Sequence, residues 1–165
     1  MKPPADGWGS WTVILCMPSA VRRGLVEAML HELRFDVEIV FRRDVVVTAS
    51  QIVTHYAHII GGDLEFSGEV AAELVGDYAG NTATVALGHG THSSIGALVR
   101  ARLGRHDPNS AWPTSIRGRW GEHSTGEAGK EKQYISDLIH ASDDAESAER
   151  DFGVWLGEEY EHLLR

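Results

Sequence analysis

Between Leu138 and Leu156 the chain changes period within a few residues, and that switch dictates a mixed α and β architecture. Leu138 and Ile139 lead to His140, the small residues Ala141 and Ser142 follow, and Asp143-x-x-Glu146 reads as a capping box with Asp143 as N-cap. Ala145, Ala148, Phe152 and Trp155 then recur at helical spacing, so the stretch predicts a strand, a sharp turn and an amphipathic helix. Ligands of α/β sheets gather beyond strand ends, and helix starts attract anions through unpaired N–H groups. His140 stands at that junction. By itself it reads either as a strand-end histidine bonded to its neighbours or as a nucleophile toward a phosphate-like group.

The same alternation of periods runs upstream. Trp11 to Cys16 (WTVILC) predicts a buried first strand stopped by Pro18, which fits the first turn of a helix turning Val21, Leu25, Ala28, Met29 and Leu33 inward. Phe35 to Phe41 alternates apolar and acidic residues, as does a strand with one wet face; Val45 to Val47 is ambiguous. Ala49 to Ile59 predicts a helix with Ser50, Gln51, Thr54 and His55 on its polar side, broken by Gly61-Gly62, and Gly68 to Ala79 predicts the next. Thr82 to Leu87 is a third strand, and a helix through Ile95, Leu98, Val99 and Leu103 closes at Gly104. Residues 105 to 133 read as irregular, Tyr134 to His140 as a fourth strand, and helices begin at Asp144 and again at Glu158. With the extra helical pair set aside, this order approximates the ferredoxin-like arrangement: an α+β fold with a four-stranded antiparallel sheet and helices packed on it. A single domain over 11–165 follows an irregular arm of 1–10.

Composition narrows the function. A net charge of -9 argues against nucleic acid as the main partner, because such proteins present a basic face. No apolar run is long enough for a membrane span and the first residues lack the pattern of a signal peptide, so the expected compartment is the cytoplasm. Cys16, the lone cysteine, reads as a buried small hydrophobe. Against the overall acidity, Arg100, Arg102, Arg105, Arg117 and Arg119 cluster with the single acid Asp107. Guanidinium forks match phosphate oxygens, so this island reads either as a site for small phosphorylated ligands or as a solvated basic loop. His55-x-x-His58 and His89-x-x-His92 lack the partners that define a zinc site, so no protein-held metal is expected. Neither a P-loop, a GxGxxG nor a nucleophile-elbow motif is present.

The segment Ile139-His140-Ala141-Ser142-Asp143, running into Glu146-Ser147-Ala148-Glu149, resembles the active-site signature of the nucleoside diphosphate kinase family, which normally has glycine after the histidine. Val21-x-Arg23-Gly24-Leu25-Val26, His55-Tyr56 and Thr114-x-Ile116-Arg117-Gly118 follow the family's order, and the resemblance covers most of the chain from Thr12 to Leu164. It implies ping-pong transfer of a γ-phosphoryl group from nucleoside triphosphates to nucleoside diphosphates through a phosphohistidine at His140, with Mg²⁺ carried by the nucleotide. It further implies that Asp151 orients His140 in place of the family's longer glutamate, through a contact that is longer or water-bridged, and that Ser142 and Tyr56 stand beside the histidine. Arg100, Arg117 and His106 match phosphate-contacting positions, Phe66 and Tyr134 positions around the base, and Asp137 an asparagine near the sugar. The chain departs from the family at Met17, where a phosphate-binding lysine is usual, at Asp137, and in an insertion near 122–132. A divergent nucleotide-binding regulatory or interaction protein with weak or no kinase activity is the alternative. Family members assemble from dimers, so a homo-oligomer, hexamer or tetramer, is expected.

Overall fold

The first strand, β1 (Trp11–Cys16), is buried along its whole length, which requires cover on both faces of the sheet. The computed structural model describes residues 3–57, 67–106, 108–121 and 138–164. Within them β2 (Glu38–Val46), β3 (Thr82–His89) and β4 (Ile139–Ala141) join β1 in a four-stranded sheet of order β2-β3-β1-β4, antiparallel at every pairing. Helices α1 (Pro18–Arg22), α2 (Val26–Leu33), α3 (Ala49–His55), α4 (Ser67–Tyr78), α5 (Ile95–Leu103), α6 (Ile116–Trp120) and α7 (Ala145–Trp155) surround it, with short 3₁₀ turns at Trp8–Ser10 and Glu158–Leu163. This is the expected ferredoxin-like α+β fold.

Strand alternation divides the core. Val13 and Leu15 of β1, with Val85 and Leu87 of β3, meet Ile52 of α3, Leu74 of α4 and Phe152 and Trp155 of α7. Ile14 and Cys16, with Ala86, Ile139 and Ala141, meet Leu30 and Leu33 of α2, Val99 and Leu103 of α5 and Ile116 of α6. Because both faces are apolar, β1 shows no polar alternation. Cys16 is fully buried as expected, and burial pushes its thiol up to about 12.

Several local expectations change. The first predicted helix is two, interrupted at Gly24, whose φ of 66° lies in the left-handed region. The second strand starts at Glu38, past exposed Phe35, and runs through the ambiguous Val45; as an edge strand it keeps a wet side and carries a register shift between Ile39 and Phe41. The stretch read as irregular contains α6, with the Ser115 hydroxyl accepting from the Gly118 N–H at its start. The N-terminal arm is tied down: Trp8 is buried, and Asp6 accepts from the Trp11 indole at 2.9 Å and faces His89 Nε2 at 2.7 Å. Residues 134–137 of the expected fourth strand and the insertion at 122–132 lie outside the described residues.

The capping box of α7 also moves by one residue. Asp144 is the N-cap, accepting from the Ser147 N–H at 2.8 Å while the Ser147 hydroxyl accepts from the Asp144 N–H at 2.9 Å. Asp143 is thereby free to pair with the Arg100 guanidinium across the loop. At its other end α7 is anchored to the edge strand: Arg43 of β2 donates to the Trp155 carbonyl at 3.2 Å and the Tyr160 hydroxyl at 2.8 Å.

Candidate active site

Among the described residues β4 pairs with β1 alone, setting His140 opposite Leu15. Ile139 and Ala141 enter the core beneath α2 and α5, so alternation turns His140 toward α3 and α7. Its side chain is 19% exposed and meets Asp151 of α7. Asp151 shares the buried stripe of that helix with Ala148, Phe152 and Trp155, and its carboxylate has 0% exposure.

A buried carboxylate persists as an anion only if its oxygens are saturated with donors. One oxygen of Asp151, Oδ2, receives the Ser142 hydroxyl at 2.9 Å and faces His140 Nε2 at 3.1 Å. The other, Oδ1, faces His55 Nδ1 at 3.2 Å and the Arg150 guanidinium at 3.3 Å. Burial on its own would raise the Asp151 pKa, but the hydrogen bonds from His140 and then His55 outweigh it and hold the carboxyl well below the usual carboxylate range. An ionised carboxylate only accepts, so the proton of the neutral His140 ring sits on Nε2 and Nδ1 presents a lone pair. Of the two expectations for the shorter side chain, a longer or a water-bridged contact, the structure has a direct contact at 3.1 Å.

The loop holding this arrangement is closely packed. The Ser142 hydroxyl oxygen accepts from the Val13 N–H at 3.2 Å, tying the turn after β4 to β1. Gly96, near the start of α5, lets that helix approach the same turn: a Cβ there would lie 2.6 Å from the Ser142 carbonyl oxygen and 2.5 Å from that of Asp143. Arg117 of α6 is buried, donating to the Gly104 carbonyl at 2.9 Å and to the Ile139 carbonyl, one residue before the histidine, at 2.7 Å. Arg100 is largely exposed on α5, against Asp143. His55, His140 and Asp151 offer ligand atoms within 4.8 Å of one another and are geometrically able to gather round a cation. Arg150 already donates to Asp151, and the hydrogen bonds of that carboxylate to the two rings account for the close approach.

The family model for nucleoside diphosphate kinase matches residues 10–160. The chain belongs to the nucleoside diphosphate kinase family. Among curated relatives, nucleoside diphosphate kinase from Thermococcus kodakarensis is 32% identical over 148 residues, covering 88% of this chain and 75% of the relative. That from a Nocardioides species is 31% identical over 151 residues, covering 88% and 95%. Among solved structures, a transition-state mimic of nucleoside-diphosphate kinase from Borrelia burgdorferi with bound vanadate and ADP superposes with a TM-score of 0.76 at 25% identity, covering 90% of this chain and 88% of that one. An NDP kinase from Pyrobaculum aerophilum, at 24% identity and a TM-score of 0.72 with 91% and 97% covered, shares the fold.

Membership makes the chain a kinase-type, nucleotide-binding phosphotransferase. Of the residues to which the family resemblance points, His140, Asp151 and Ser142 come together, and Arg117 reaches the strand beneath them. Tyr56 is buried and stands edge-on to His55, with ring centroids 4.7 Å apart. His106 lies in the bend after α5. Phe66, Tyr134 and Asp137 lie outside the described residues. Sequence reasoning put His55 on the polar side of α3, whereas it is fully buried. Its spacing of three from the core residue Ile52 was the available signal, masked by the polarity of imidazole. Nothing in the sequence pointed to Arg150.

Proposed function

We propose that this nucleoside diphosphate kinase transfers the γ-phosphoryl group of a nucleoside triphosphate to a nucleoside diphosphate by a ping-pong route through Nδ1 of His140. The observation that carries the reading is the His140–Asp151 contact, which holds the ring proton on Nε2 and leaves Nδ1 as the nucleophile. In the first half-reaction the Nδ1 lone pair forms the nitrogen–phosphorus bond while the bond from phosphorus to the bridging oxygen breaks, and that electron pair departs with the diphosphate. Nε2 keeps its proton, and the charge gained by the ring is met by the Asp151 carboxylate. A second diphosphate then reverses these steps with its own terminal oxygen.

Ser142 steadies the carboxylate, and Tyr56 packs beside His55. Arg100, which meets Asp143 in the turn after β4, and Arg117, which donates to the carbonyl just before His140, are assigned to the phosphates together with His106. Arg100 exchanges Asp143 for phosphate oxygens as the nucleotide enters. Magnesium arrives as part of the substrate, bound to the phosphates. Phe66 and Tyr134 are assigned to the base and Asp137 to the sugar. Met17 is fully buried where the resemblance expects lysine, so the arginines carry a larger share of the phosphate charge and turnover is slower than is usual for the family. The catalytic domain over 11–165 works in the cytoplasm as a homo-oligomer built from dimers, for which the edge strand β2 offers a pairing surface.

The test is incubation with γ-labelled ATP and Mg²⁺. Wild-type protein should acquire acid-labile label that passes to added nucleoside diphosphate, and His140→Ala should acquire none. Unlabelled wild-type protein refutes the proposal.

A further inference from the structure

His55 is a buried imidazole that the reaction as written does not require. Its side chain has no exposure, and its Nε2 has no hydrogen-bond partner among the described residues. An apolar side chain would fill the same space without that desolvation cost, so the histidine calls for a compensating role.

The other ring nitrogen supplies it. Nδ1 lies 3.2 Å from Asp151 Oδ1 and 3.3 Å from the Trp155 indole nitrogen. The first neighbour only accepts and the second only donates, and one nitrogen of a neutral imidazole cannot serve both. The charge-assisted bond to the carboxylate is the stronger, so Nδ1 carries the proton and points it at Asp151. Burial pushes the His55 pKa down, against the opposing effect of the Asp151 hydrogen bond, so the ring is neutral and the carboxylate keeps its charge. The His55 and His140 rings stand perpendicular, 88° apart with centroids at 4.3 Å, each addressing a different oxygen of the same carboxylate.

We propose that His55 is a positioning residue for His140, acting through Asp151: its Nδ1–H holds Oδ1 and thereby sets the carboxylate plane in which Oδ2 receives the His140 Nε2–H. The proposal rests on the reading of His140 as phosphoryl carrier. Aspartate has a single torsion between its backbone-anchored Cβ and the carboxylate plane, so a second fixed donor removes the remaining freedom. Arg150 also reaches Oδ1, but its side chain is over a third exposed and bonds at 3.3–3.4 Å, a looser hold than a ring locked in the core.

Two measurements test this. Nitrogen-15 NMR of the histidine rings in wild-type protein should show His55 as the Nδ1–H tautomer and His140 as the Nε2–H tautomer; an Nε2–H tautomer at His55 overturns the proposal and needs neither variant nor activity. In kinetics, His55→Asn places its amide N–H near the former Nδ1 and His55→Gln places it near the former Nε2. Single-turnover phosphorylation of His140 from labelled ATP should fall about tenfold to a hundredfold in His55→Gln and stay within about threefold of wild type in His55→Asn, with the apparent KM for ATP unchanged in both. Equal rates in the two variants, whether both impaired or both normal, overturn the proposal. A wild-type protein that takes no label refutes the phosphohistidine reading, while the NMR result still judges the His55–Asp151–His140 geometry.

Discussion

Replacing Asp151 with asparagine keeps the shape of the side chain and removes its charge, and the surrounding donors dictate how the amide must sit. Oδ1 faces a guanidinium, which has no acceptor, together with the His55 N–H. Oδ2 faces a hydroxyl and the His140 ring, both able to switch from donating to accepting. The amide NH₂ is therefore driven to the Oδ2 side, where it donates to His140 Nε2 and forces the ring proton onto Nδ1. The nucleophilic lone pair is lost and no carboxylate remains to meet the charge of the phosphorylated ring. Hydrogen bonds to a charged partner contribute about 1.5–3 kcal/mol against about 1 for neutral ones, and the tautomer reversal adds to their weakening. A barrier increase of about 3–5 kcal/mol, or roughly a 10²–10⁴-fold loss in rate, is expected. The assay is rapid-quench single turnover with labelled ATP, with urea denaturation run in parallel to separate loss of fold from loss of chemistry. Asp151→Glu, which keeps the charge, should retain the tautomer and far more of the rate. An asparagine variant within about threefold of wild type would show that Asp151 does not set the His140 tautomer.

Further outcomes follow from the same geometry. Asp144→Ala should cost about 1 kcal/mol in urea denaturation by removing the true N-cap of α7, whereas Asp143→Ala, which loses only a half-exposed pair with Arg100, should change stability by less than about 0.5 kcal/mol. Gly96→Ala should destabilise by about 1–3 kcal/mol and slow phosphorylation of His140, because the added carbon pushes into the Ser142–Asp143 backbone; unchanged melting and rate would refute that packing. Because His55 is held neutral with a lowered pKa, the unfolded chain binds the extra proton first, so this group's contribution makes stability fall as pH drops below the unfolded value of 6.5. The slope approaches about 1.4 kcal/mol per pH unit until the folded pKa is reached. Urea midpoints from pH 7 to 5 should show this dependence reduced in His55→Asn. Asp151, with its lowered pKa, adds its own loss only at lower pH, beginning near the ordinary carboxylate range.

The sequence alone determined the elements whose period is set by local chemistry. Trp11–Cys16 is β-prone and apolar except at Thr12, with Pro18 two residues beyond it, so its limits matched the strand, and Gly104 closes α5 with φ of 85° as expected. The signature around His140 was legible because it is contiguous, and because strand end, turn and helix follow in order. The tertiary structure decided what depends on residues distant in the chain. The His55–Asp151 contact joins α3 to α7, and the spacing of His55 from Ile52 hints at burial but not at the carboxylate it meets. Asp144 caps the helix and Asp143 instead meets Arg100, which reaches it from α5. Two adjacent aspartates are equivalent to a local capping rule, and only the fold shows that one caps the helix while the other meets a guanidinium.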